Sequence, residues 1–162
     1  MIAWMQLIHF YGVVLWVGGM FFAHYCLRPA VTRLLEPPQR LTLMSAVLDR
    51  FFGFVTVAVL VIVFSGFFMF GASGSIEYTP FYWRLMMMSG LIMATVFAII
   101  RLVFHPRLRA AVAAQDWPEG ARALERIRRL VLFNLILGVL TIGIAVLGAY
   151  GGLGSWGLSS AH

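Results

Sequence analysis

The residues able to do chemistry in this sequence are few, and they sit in apolar company. Met1, Met5 and His9 are spaced i, i+4, i+8 and share one helix face. Thioethers with an imidazole form the soft donor set that suits Cu(I). The run Met86-Met87-Met88 is expected at the same depth on another segment, which makes Met87 a further candidate. Methionine is also an adaptable core filler, so this stripe has a packing reading beside the metal reading. His9 carries the stronger claim. It stands about 8 residues into an uncharged stretch, roughly 12 Å of helical rise. A neutral imidazole there must partner both ring nitrogens or leave polar atoms unsatisfied. A metal or haem iron on one nitrogen and a hydrogen bond from the other would do so. A structural hydrogen bond to a neighbouring helix is the alternative.

On a helical wheel Trp16 falls about 20° from His9, and Gly12 and Gly19 about 60–80° to one side. The face reads histidine, glycine, tryptophan, glycine. Small residues there admit either a second helix or a flat porphyrin. His24 and His105 are expected at one depth on different segments, where two imidazoles could bind a haem iron axially or pass a metal or a proton. Their alternative is as interfacial polar residues. Cys26 points about 200° away from His24 and reads as a small buried hydrophobe. Arg84 and Arg101 stand at the two ends of one apolar run, placed to meet haem propionates or lipid head groups, or simply to snorkel. There are no paired carboxylates and no HExxH, CxxC, phosphate-loop or serine-triad pattern, so hydrolytic and nucleotide chemistry have no support.

The elements that must position these residues are membrane spans. Ile2 to Leu27 has no formally charged side chain, and about 20 such residues suffice to cross a bilayer. Further apolar runs cover about 51–71, 81–104 and 130–150. The chain of 162 residues is 62% hydrophobic and 11% charged, against about 25% charged in a soluble domain. The expectation is one all-α membrane domain over 1–152, an up-down four-helix bundle, with a flexible Gly/Ser tail at 153–162. The first span is expected to stop at Arg28-Pro29 and the third at His105-Pro106, because proline breaks helices. Between them 28–50 and 107–129 read as basic loops. The first holds a short amphipathic surface helix from Gln39 to Asp49, and Gly120 to Arg129 begins the last helix early. The first run is too long for a signal-peptide core and is expected to be retained. With one cysteine, no intrachain disulfide is expected.

The net charge of +6 is carried by arginines beside span ends, which points to anionic lipid as partner and away from nucleic acid. The two basic connections hold most of them. The positive-inside rule then places both termini outside, with His9, Met5, Arg84 and Met87 toward the outer face and His24 and His105 toward the inner one. Gly138, Gly143 and Gly148 would suit close helix contact within the chain or across a homodimer.

These residues resemble a known family. The pattern His9-x6-Trp16-x2-Gly19, Arg101 before His105-Pro106-Arg107-Leu108, and Arg128-Arg129 before the last span together resemble the CopD-type copper resistance domain over nearly the whole length. Arg84 stands where that family usually has lysine, and Asn134 where an acidic residue is more usual. The first-span pattern is also similar to the HemJ-type protoporphyrinogen oxidases, which are four-helix haem proteins. The resemblance implies copper movement or tolerance at a bacterial inner membrane, or haem b binding with electron transfer. A third expectation is a packing subunit of a larger membrane complex.

Overall fold

The computed structural model describes residues 1–72 and 80–150. They form four long helices, α1 Ile2–Leu34, α2 Pro37–Gly71, α3 Phe81–Ala113 and α4 Trp117–Ala149, each long and apolar enough to cross a membrane. There is no strand among the described residues. The expected all-α four-helix bundle is what forms. The expected tail at 153–162 lies outside the described residues.

The helices run past the apolar stretches that predict them. Pro29 does not end α1, and Pro106 does not end α3. A proline in mid-helix lacks an N–H and its ring meets the carbonyl four residues back. Both helices widen just ahead of the proline, over Phe22–Leu27 and Ile100–Phe104. There the Arg28 N–H donates to the Ala23 carbonyl and the His105 N–H to the Ile100 carbonyl, five residues back instead of four. The extra residue in the turn gives the ring room, and the helix continues. The stretch Gln39–Asp49 is not a separate surface helix but the first turns of α2. Its Leu41, Met44 and Leu48 are buried inside the bundle. Residues 107–129 are likewise almost wholly helical, as far as the tight link between α3 and α4. That link puts Gln115 at a positive φ of 57°, with Gln115 N–H on the Val112 carbonyl and Asp116 N–H on the Ala111 carbonyl. Asp116 then caps α4 by accepting from the Glu119 N–H at 3.1 Å.

A helix of about 33 residues is roughly 50 Å long, while the hydrocarbon core is about 30 Å thick. The excess lies at the arginine-rich end, where all four helices extend beyond their uncharged stretches as a charged collar.

The bundle is two similar hairpins. α1 packs chiefly on α2, and α3 on α4. The buried residues Gly12, Trp16, Met20 and Val31 of α1 correspond to Ser89, Met93, Phe97 and Leu108 of α3, each 77 residues on. Leu41, Met44, Leu48, Phe52, Val55 and Val59 of α2 correspond to Gly120, Ala123, Ile127, Val131, Asn134 and Gly138 of α4, each 79 residues on. Lipid tails are as apolar as the core, so close contact rather than water exclusion holds such helices together. Gly12 and Gly19 supply it in the first hairpin. A Cβ on Gly12 would lie 2.7 Å from Ile62 and 3.3 Å from the Ala58 carbonyl, and one on Gly19 would enter the Phe51 ring. Between the hairpins an edge-to-face aromatic series runs from Trp16 to Phe97 (6.0 Å), Phe52 (5.8 Å) and His105 (5.2 Å).

Candidate functional site

His9 meets Ser65 of α2 across the α1–α2 contact, with its Nδ1 at 2.9 Å from the hydroxyl oxygen. A serine hydroxyl has one proton, and this one is committed. Ser65 Oγ lies 2.6 Å from the Val61 carbonyl and 3.1 Å from the Ile62 carbonyl, neither of which can donate. Oγ therefore accepts from His9, Nδ1 carries the ring proton, and Nε2 carries the lone pair. Ser65 is buried and the imidazole half-buried.

The antiparallel register that sets His9 opposite Ser65 and Gly12 opposite Ile62 also brings Met69 level with Met5. Both are half-buried. Met69 went unnoticed in the sequence because nothing there fixes the register of α2 against α1. Met86 and Met87 are half-buried on α3, Met88 is largely exposed, and Met1 is 87% exposed. Arg84 is exposed in the first turn of α3 and has no ion-pair partner among the described residues. Trp16 is buried in the core beside Phe97, and the faces of Gly12 and Gly19 are filled by α2.

At the arginine-rich end, His24 and His105 have different surroundings. His105 is wholly buried. Arg101 Nη1 donates to its Nδ1 at 3.1 Å, so Nε2 holds the proton; it faces Asp49 Oδ1 at 3.6 Å, beyond hydrogen-bond distance, and is buried without a hydrogen-bond partner among the described residues. Arg109 reaches the same carboxylate oxygen at 3.6 Å. This Arg101–His105–Asp49–Arg109 chain ties α3 to α2. Asp49 was not singled out in the sequence, where it read as the polar end of a surface helix. His24 lies in the widened turn of α1, against Tyr25, and opens on a cavity of about 250 Å³ between α1, α2 and α4. His105 does not line that cavity, so the two imidazoles are not brought onto one ligand. Cys26, expected to be buried, is exposed. Among the described residues no three His, Cys, Asp or Glu side chains are grouped to hold a metal.

Buried polar groups elsewhere join the second hairpin. Asn134 Nδ2 donates to the Met93 carbonyl at 3.0 Å, and Thr141 Oγ1 lies 2.9 Å from Ser89 Oγ. Asn134 Oδ1 is buried without a hydrogen-bond partner among the described residues.

A family model described as copper resistance protein D matches residues 45–147. The match begins in the charged collar of α2, runs through α3 and ends near the close of α4. It therefore includes Ser65, Met69, His105 and Asn134. The first-span pattern of His9, Trp16 and Gly19 precedes it, so the matched segment is shorter than the nearly complete resemblance expected from the sequence. No curated protein and no solved structure matches the chain. Three of the four membrane helices and more than half of the residues carry the match: the chain belongs to the copper resistance protein D family.

Proposed function

We propose that this multi-pass membrane protein handles copper, in transport or tolerance, and that it takes Cu(I) at the end of the bundle marked by His9. The observation that carries this reading is the committed proton of Ser65. It leaves His9 with a donor at Nδ1 and a lone pair at Nε2, the tautomer a metal-ligating imidazole needs, with its second nitrogen held by a partner. Met5 and Met69, level with each other beside His9, offer thioethers from α1 and α2, and Met87, half-buried on α3, is a further candidate. Such soft donors favour Cu(I) over the harder divalent ions. The arginine asymmetry supports a reading in which this end faces outward with both termini outside, in a membrane that the resemblance implies is a bacterial cytoplasmic one.

The competing haem b reading would use Trp16, Gly12, Gly19, His24, Arg84 and His105, and these residues fit a haem poorly. α2 fills the glycine face. His105 is wholly buried among packed helices, with Nδ1 taken by Arg101, and does not line the cavity at His24. The cavity at His24, about 250 Å³, is smaller than the roughly 300–1,000 Å³ typical of pockets for drug-sized ligands.

Purified protein titrated with Cu(I) against a chromogenic chelator tests the proposal. Wild type is expected to retain Cu(I), and both His9→Ala and His9→Gln to lose it while remaining folded. Full retention by His9→Gln would overturn the assignment. A Soret band in the purified protein would replace it with the haem reading.

A further inference from the structure

The cavity beside His24 is more than a gap between helices. Arg28 of α1, Arg40 of α2 and Arg128 of α4 converge on it, with Glu125 the single acidic side chain in its wall. Glu125 is already engaged, by Arg128 at 2.6 Å and by Arg129 at 3.1 Å. Arg28 and Arg40 form no ion pair within 4 Å among the described residues, although Arg28 lies within electrostatic reach of Arg128 and Arg40, which repel it, and of Glu125, which attracts it. Three half-buried arginines thus share one carboxylate around a partly open cavity. The arrangement calls for a further anion.

The depth of the cavity says which anion. Arg28 is the first charged residue after the uncharged stretch of α1, and Arg128-Arg129 immediately precedes that of α4. Both therefore sit at the boundary between hydrocarbon and head groups, where lipid phosphates lie. Below them the wall turns apolar, with Met44, Leu48, Ile127 and Val131. A soluble anion gains nothing from such a floor, whereas an acyl chain does. The volume suits a head group, and guanidinium forks match phosphate oxygens in pairs.

We propose that this cavity is a binding site for the phosphate head group of an anionic phospholipid, held by Arg28, Arg40 and Arg128 with its acyl chain directed along α2 and α4. Basic pockets between membrane helices are suited to this kind of ligand. The inference does not depend on the copper reading, because it concerns the opposite end of the bundle.

The test uses the full chain in neutral detergent. Thermal unfolding and native mass spectrometry are run with phosphatidylglycerol, phosphatidylcholine or inorganic phosphate added. Phosphatidylglycerol is expected to raise Tm and remain bound in the gas phase, and the other two to do neither. Arg28→Gln combined with Arg40→Gln is expected to weaken phosphatidylglycerol binding about tenfold or more. Arg33→Gln, on the same stretch but outside the cavity, is expected to leave it unchanged. An equal shift from phosphatidylcholine overturns the proposal in favour of general lipid contact. An equal shift from inorganic phosphate overturns it in favour of a free-anion site. Undiminished binding by the double variant removes the site altogether. Where the glutamine pair does not fold, Arg28→Lys and Arg40→Lys, which keep the charge but lose the fork, are read instead. Several-fold weakening in either supports the site, and wild-type affinity in both overturns it.

Discussion

Replacing Ser65 by alanine separates a hydrogen bond that orients His9 from one that merely joins two helices. The substitution removes the acceptor of the His9 Nδ1 proton, at 2.9 Å, from a buried position. In a soluble core an orphaned donor would cost about 1–3 kcal/mol. In a bilayer the separated helices also find partners, and interhelical hydrogen bonds average about 0.6 kcal/mol with a maximum near 1.7. Alanine is the better helix former by about half a kcal/mol, and it does not need the Val61 carbonyl. The two effects nearly cancel, so the stability of Ser65→Ala alone decides nothing. A double-mutant cycle with His9→Ala isolates the pair. Measured by reversible unfolding in mixed micelles, the coupling is expected to be about 0.6–1.7 kcal/mol. With Nδ1 no longer held, Cu(I) affinity is expected to fall about 10–100-fold, and Ser65→Thr, which keeps a hydroxyl, to recover most of it. A coupling below about 0.3 kcal/mol, within the additivity of independent sites, together with unchanged Cu(I) affinity, would refute the reasoning.

Further outcomes follow from the packing and the charge pattern. Gly19→Ala is expected to destabilise the bundle by about 1–3 kcal/mol, since its methyl group enters the Phe51 ring. Gly18→Ala, with nothing within 4 Å of a new Cβ, is expected to be neutral or slightly stabilising, and thermal unfolding of the pair checks the contrast. Asn134→Leu is expected to leave Tm unchanged or raise it, because it removes an unpartnered buried oxygen while the Met93 carbonyl keeps its own helix. A fall of several degrees would mean that Asn134 does more than join α3 to α4. Reporter fusions at Ala72 and Gln115 are expected on opposite sides of the membrane, with Gln115 cytoplasmic, and finding both on one side would overturn the orientation drawn from the arginines.

The four helices were legible because long uncharged runs have few other fates. Their ends were not, for a physical reason that recurs twice. Pro29 and Pro106 read as stops, since nothing in the local sequence signals that a five-residue hydrogen bond at Ala23 and Ile100 will absorb the ring. The early part of α2 looked like a surface helix because Arg40, Asp49 and Arg50 dominate its polarity. Its Leu41, Met44 and Leu48 have apolar partners only once the collar of α4 stands beside them. His9 was legible as a buried imidazole in need of partners. Ser65 does not stand out in the sequence, because a serine in a span can bond to its own backbone, and this one does. Its remaining lone pairs, and not its proton, are what His9 uses. The convergence of Arg28, Arg40 and Arg128 could not be read along the chain, because it takes three helices to make it.

The aromatic series from Trp16 through Phe97 and Phe52 to His105 couples the two hairpins mechanically. These rings pack edge to face in the middle of the bundle and bring α1, α2 and α3 onto one another. A substitution that shrinks one of these rings therefore loosens the contact between the two hairpins as well as the packing within each.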